Sequence, residues 1–131
     1  MKIMVNGPCG VLENVISIVG FEDLCFLIID DPELVQDIFD AVGSRLLKYY
    51  ERSLSYESAG ILMGNDDWGF KTQTMLSVDD MRKYVFPWHK KIVDLAHRRN
   101  IPAVLHSCGQ ASEIWDDIID DIGYDGKHSF A

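Results

Sequence analysis

The stretch that limits the fold most is Ile101-Pro-Ala-Val-Leu-His106-Ser107-Cys108-Gly109, a short apolar run that ends in an imidazole, a hydroxyl, a thiol and a glycine. A run of this length after a polar turn reads as a strand of a buried parallel sheet. Parallel strands need crossover connections, usually helices, so the rest of the chain has to supply helices between further strands. Side chains two apart on a strand share a face, so His106 and Cys108 project together from its C-terminal end. In α/β sheets and barrels that end carries the chemistry. An imidazole beside a thiolate suits zinc. The plainer alternative is a hydrogen-bonded His106 and a Cys108 that packs as a small hydrophobe.

The sequence around this strand meets the demand. Lys2 to Val5 is a short strand, followed by the loop Asn6-Gly7-Pro8-Cys9-Gly10. Val11 to Val19 has helical spacing at Leu12, Val15, Ile16 and Val19, and Gly20 stops it. Phe21 to Ile29 is densely apolar and reads as a second short helix. Asp31-Pro32-Glu33 is a strong helix start, with Asp31 as cap and Pro32 at the first helical position. That helix runs to about Ser55, with Val35, Ile38, Phe39, Val42, Leu46 and Tyr49 as its buried stripe and Gly43 weakening its middle. Gly60 to Met63 is the second strand, and Gly64 to Gly69 the loop at its C-terminal end. Ser77-Val-Asp-Asp80 resembles a capping box and opens a helix through Tyr84, Val85, Trp88, Ile92, Leu95 and Ala96. Pro87 inside that helix predicts a kink or a split. Arg98-Arg99-Asn100 ends it before the His106 strand. Ser112 is the expected cap of a further helix, with Ile114, Trp115, Ile118, Ile119 and Ile122 on one side and Gly123 as its stop. Tyr124 to Phe130 reads as a fourth strand.

Strands alternating with helices mean a parallel sheet with right-handed crossovers. A closed (β/α)8 barrel takes about 250 residues, whereas this chain has 131. The expectation is therefore a partial (β/α)8 barrel of about four parallel strands, forming one domain over residues 1–131. Such a sheet has open edges and a concave face, here expected to carry Met63, Val104 and Leu105, so a homo-oligomer is expected. The net charge of −9 argues against a nucleic-acid partner and against adhesion to anionic membranes. No segment is long enough to span a bilayer. Three widely spaced cysteines do not make a disulfide framework, and the opening Met1 to Pro8 lacks an apolar core and cleavage signal. Both point to the cytoplasm.

The order Gly7-Pro8 before a helical pair, then Asp66-Asp67-Trp68-Gly69, Phe86-Pro87-Trp88 and His106-Ser107-Cys108-Gly109, resembles the uroporphyrinogen decarboxylase superfamily. The resemblance covers nearly the whole chain and corresponds to the middle and late part of a family barrel. It implies a (β/α)8 fold and one of two activities. One branch decarboxylates porphyrinogens. The other, zinc-dependent, moves a methyl group from a corrinoid to a thiol. The methyltransferases hold zinc with a His-x-Cys pair, matched here by His106 and Cys108, and a distant third cysteine, expected beyond Ala131. Zinc in such a site presents a thiol as a thiolate nucleophile. The decarboxylases rely on an aspartate in an early segment, which this chain lacks, and on a tyrosine where Val15 stands. They also need cations for the substrate carboxylates, and only Lys71 and Lys127 lie near the loops. The resemblance therefore favours methyl transfer, with zinc as cofactor and a corrinoid, free or protein-bound, as methyl donor. Porphyrinogen decarboxylation is the alternative, and a non-catalytic half-barrel that binds a partner or itself is a third.

Other residues enter by position. Asp66 and Asp67 end a strand, where a carboxylate can bind metal, act as a base or orient a substrate, or else cap a turn. Trp68 is a pocket wall or a packing residue. Lys127 and His128 end the fourth strand, which places them as a substrate-binding cation and a catalytic imidazole. His89 and His97 lie in a helix and read as surface or packing residues, Phe86 and Trp88 as core, Cys9 and Cys25 as structural. No glycine-rich phosphate loop and no Ser-His-Asp order occurs.

Overall fold

In the computed structural model, which describes residues 1–129, four parallel strands lie side by side in chain order. They are β1 (Ile3–Asn6), β2 (Ala59–Asn65), β3 (Ala103–His106) and β4 (Gly126–His128). This is the expected part of a (β/α)8 barrel, with helices crossing between adjacent strands. The register sets Met63 beside Val104, Asn65 beside His106 and His106 beside His128. Burial alternates along the strands. Leu62, Ala103 and Leu105 are sealed under the helices, while Met63, Val104 and His106 are half-buried on the opposite face. Leu105 therefore does not belong to the concave face as expected. Its neighbour Val104 faces that way, and successive strand residues point to opposite sides.

Helices α1 (Val11–Val19), α2 (Phe21–Asp30) and α3 (Pro32–Leu54) connect β1 to β2. The Asp31 carboxylate accepts from the Leu34 N–H at 3.1 Å and Pro32 opens α3, as expected. The buried stripe of α3 runs Val35, Phe39, Gly43, Leu46, Tyr50 and Leu54. It includes Tyr50 and not Tyr49, which is 41% exposed. The Tyr49 hydroxyl instead donates to the Asn6 carbonyl at 2.8 Å. Gly43 is required for packing: a Cβ there would overlap the Trp88 indole. Trp88 and Phe86 belong to the core or pack against it.

Pro87 splits its helix. A short α4 (Val78–Asp80), capped by Ser77, leads into a π-helical turn at Met81–Val85, and α5 (Phe86–His97) begins with Pro87 in its first turn. Proline offers no N–H to the carbonyl four residues back and crowds it, so the ladder widens just before it. The connection from β3 to β4 is less regular than expected. It comprises a 3₁₀ turn at Ser112–Ile114 and a π-helical segment at Asp117–Ile122, ended by Gly123 at φ 91°. Ser112 does not cap it with its side chain; its N–H is taken by Gln110 Oε1 at 3.1 Å. Ile114, Ile118 and Ile122 are buried, while Trp115 is 39% exposed. Of the expected strand from Tyr124, the part at Phe130 lies outside the described residues. Cys9, Cys25 and Cys108 are free thiols. Among the described residues no helix is long and apolar enough to cross a membrane.

Candidate metal centre

The loops that follow β2 and β3 are knitted together. The Asp66 N–H donates to the His106 carbonyl at 3.0 Å, and the Gln110 N–H to the Phe70 carbonyl at 2.8 Å. Between them the Trp68 N–H reaches Ser107 Oγ at 3.2 Å, and the Cys108 N–H reaches Asp67 Oδ1 at 2.8 Å. Gly109 adopts φ 85° and lies against the backbone of Gly69, leaving no room for a Cβ on either. Asp66-Asp67-Trp68-Gly69 and His106-Ser107-Cys108-Gly109 are thus one structural unit read from two places in the chain.

This unit holds three donor groups together. A carboxylate oxygen of Asp67, a ring nitrogen of His106 and the sulfur of Cys108 all lie within 4.8 Å of one another, and all three residues are half-buried. His106 Nε2 and Cys108 Sγ are 3.7 Å apart. Zinc with Zn–N near 2.1 Å and Zn–S near 2.3 Å at a tetrahedral angle sets its two donors about 3.6 Å apart. The separation of the pair matches that spacing. Asp67 Oδ1 receives the Cys108 N–H, and a carboxylate oxygen of Asp67 lies within 4.8 Å of the other two donors. Asp67 is thus a third candidate donor among the described residues.

His128 does not stand alone as an acid or base. Its Nδ1 is 2.8 Å from Nδ1 of His106, the cross-strand neighbour set by the register. Lys127 Nζ donates to the carbonyls of Ser107 (2.7 Å) and Ser129, tying β4 to the loop after β3. Partial burial pulls the Lys127 ammonium below its ordinary pKa, against the opposing pull of Cys108 and Asp67. Beside this corner a cavity of about 430 Å³ is lined by Gly109, Gln110, Ala111, Ser112, Trp115 and Lys127.

Asp66 and Trp68 lie elsewhere. Helix α1 starts at Gly10, which has no side chain to cap it. Asp66 does that work from 54 residues away: Oδ2 accepts from the Leu12 N–H and Oδ1 from the Glu13 N–H, each at 3.0 Å. Gly10 must be glycine, because a Cβ would overlap the Asp66 carboxylate. On its other side Asp66 Oδ2 meets His89 Nε2 at 2.9 Å, and His89 Nδ1 meets the Tyr124 hydroxyl at 2.8 Å. With Nε2–H donated to Asp66, Nδ1 accepts from Tyr124; this tautomer follows from the network. Burial pushes the Tyr124 phenol well above its ordinary pKa. Trp68 is fully buried between Phe86 and His89, with centroids 5.1 and 4.8 Å away. It is a core residue and not a pocket wall, and its buried indole N–H has no partner among the described residues. Alternation explains the split: Asp66 and Trp68 turn to the helices, while Asp67 turns to the open face.

His89 was expected to be a surface or packing residue, and the structure gives it a central place in this clamp. A signal existed in the sequence. His89 stands three residues from both Phe86 and Ile92, on the buried side of α5. His97 is exposed and pairs with Asp125 at 2.9 Å. Desolvation raises the Glu13 pKa, with Asp66 and Asp67 adding to the effect.

The family model described as Uroporphyrinogen decarboxylase (URO-D) matches residues 4–128. Comparisons with curated proteins and with solved structures returned no match.

Proposed function

Because the chain belongs to the uroporphyrinogen decarboxylase family over residues 4–128, we propose that it serves methyl transfer from a corrinoid to a thiol, with zinc held by Asp67, His106 and Cys108. The observation that carries this reading is the gathering of carboxylate, imidazole and thiol within 4.8 Å. One carboxylate, one thiolate and one neutral imidazole carry two negative charges, which suits a divalent cation. When bound, zinc supplies the Lewis acidity that favours the deprotonated, nucleophilic form of a thiol.

The residues of the chain divide the remaining work. Asp67 accepts the Cys108 N–H and so fixes the backbone that presents the sulfur. Gly109 and Gly69 bring the two loops close enough for that bond. The adjoining cavity of about 430 Å³ is in the size range of small-molecule sites, with the Trp115 indole on its wall and the Lys127 side chain at its edge. In the transfer, the acceptor sulfur forms the new C–S bond and the corrinoid keeps the electron pair of the broken cobalt–carbon bond. The thiol proton goes to solvent.

Elemental analysis of the purified protein tests the centre. Zinc should be present and should be lost in Cys108→Ala; unchanged zinc in that variant removes the assignment. Methylcobalamin and a small thiol then test the transfer, read by the change in corrinoid absorbance. Zinc-loaded protein that produces no thioether counts against the activity and leaves the non-catalytic half-barrel as the better reading.

A further inference from the structure

We propose that His128 fixes the tautomer of His106, accepting a hydrogen bond from its Nδ1–H and so leaving His106 Nε2 as a bare donor beside Cys108. The pairing of the two rings is geometric, and the choice of His106 as the donor rests on the metal reading above. His106 and His128 are register partners on adjacent parallel strands, so their side chains leave the sheet on the same face. Their rings are 5.1 Å apart between centroids and tilted by 31°. The two Nδ1 atoms are 2.8 Å apart.

That distance carries a proton count. Two bare nitrogens at hydrogen-bond range repel through their lone pairs, and two N–H groups collide through their hydrogens. One Nδ1 is therefore protonated and the other is not. If His128 were the donor, a neutral His106 would carry its proton on Nε2, aimed toward the Cys108 sulfur 3.7 Å away. An imidazole nitrogen that holds a proton cannot bind a metal. If His106 is the donor, its Nε2 lone pair and the Cys108 sulfur converge at the separation zinc requires. A ligating imidazole is ordinarily held in this way, by an acceptor on its far nitrogen. Here the acceptor is a second histidine, which is exposed enough to direct its own Nε2–H to water. His128 is thus a positioning residue that acts through His106 and touches no substrate.

Two measurements test this. Two-bond proton–nitrogen NMR on the metal-free protein should show His106 as the Nδ1–H tautomer, and His128→Ala should shift it toward Nε2–H. Zinc affinity, read by competition with a chromophoric chelator, should fall about 10–100-fold in His128→Ala. His128→Asn, whose side-chain oxygen can still accept, should recover most of that loss and guards against a folding defect in the alanine variant. Wild-type His106 found protonated on Nε2 overturns the proposal. So does a His128→Ala protein that binds zinc as tightly as wild type. A wild-type protein that binds no zinc overturns the metal reading instead, and the tautomer measurement then decides the role of His128 alone.

Discussion

Asp66 and His89 meet at 2.9 Å in the interior, with side-chain exposures of 0% and 3%. The same carboxylate caps a helix whose own start is a glycine. One side chain therefore joins β2, α1 and α5, and Tyr124 extends the chain of bonds to the entry of β4. Removing one partner from such a pair leaves the other buried and unsatisfied. Asp66→Ala and His89→Ala should each destabilise by about 3–5 kcal/mol. Thermal melting should show the loss as a Tm fall of roughly 10 °C or more, and a fall of only a degree or two would mean that the clamp is dispensable. Tyr124→Phe should cost less, about 1–3 kcal/mol, because it removes one hydrogen bond.

Asp67 should behave in the opposite way from its neighbour. Asp67→Asn keeps an oxygen to receive the Cys108 N–H but loses the charge. Its effect on stability should stay within about 0.5–1 kcal/mol, as for other partly exposed substitutions, while zinc binding weakens. A zinc affinity equal to wild type would remove Asp67 from the donor set.

Gly109 tests the coupling of the two loops. At φ 85° and in contact with the Gly69 backbone, it accepts no side chain without displacement. Gly109→Ala should cost at least about 1–3 kcal/mol and should also reduce zinc content, because Cys108 moves with it. Loss of stability with full zinc retention would uncouple the loop from the centre.

Asp125 supplies a pH dependence. Its carboxyl is held below the usual value of 3.8, chiefly by the Ala103 N–H, with His97 helping. The sign follows from the folded state binding the proton less tightly than the unfolded chain. The stabilisation is complete above pH 3.8 and is lost as pH falls through the lower folded value. Asp125→Asn should melt earlier than wild type at neutral pH and should show a smaller drop in Tm on acidification below about pH 4. Parallel acid limbs in the two proteins would assign the acid sensitivity to other carboxylates.

We propose that the isolated chain also self-associates. Strands β1 and β4 are the edges of the sheet, and Ile3 and Met4 on β1 are 47% and 53% exposed. Unpaired N–H and C=O groups beside exposed apolar side chains invite pairing with another copy. Light scattering at micromolar concentration should give a mass that rises with concentration, in multiples of the 14.9 kDa chain. A monomer that melts cooperatively at every concentration would rule this out.

The sequence by itself determined the class of fold and brought out the candidate donors His106 and Cys108. The apolar run ending in His106 reads as a strand, and a period of two carried on to Cys108 sets both groups on one face, although the strand itself ends at His106. Asp31 with Pro32, Ser77 with Asp80, and Pro87 dictated local helix starts and a split, since capping and the missing proline N–H act within one turn. The family was legible for the same reason: its motifs are short and contiguous. What lay beyond reach were relationships across the chain. Whether Asp66 or Asp67 faces the open side depends on where β2 ends relative to β3, which is a matter of register. The roles of His89 and Tyr124 required α5 and the entry to β4 to be packed against β2. The pairing of His106 with His128 required β3 and β4 to be neighbours in one register. Tertiary structure decided these because a carboxylate or an imidazole takes its role from the groups within about 3 Å of it, and here those groups come from distant parts of the sequence.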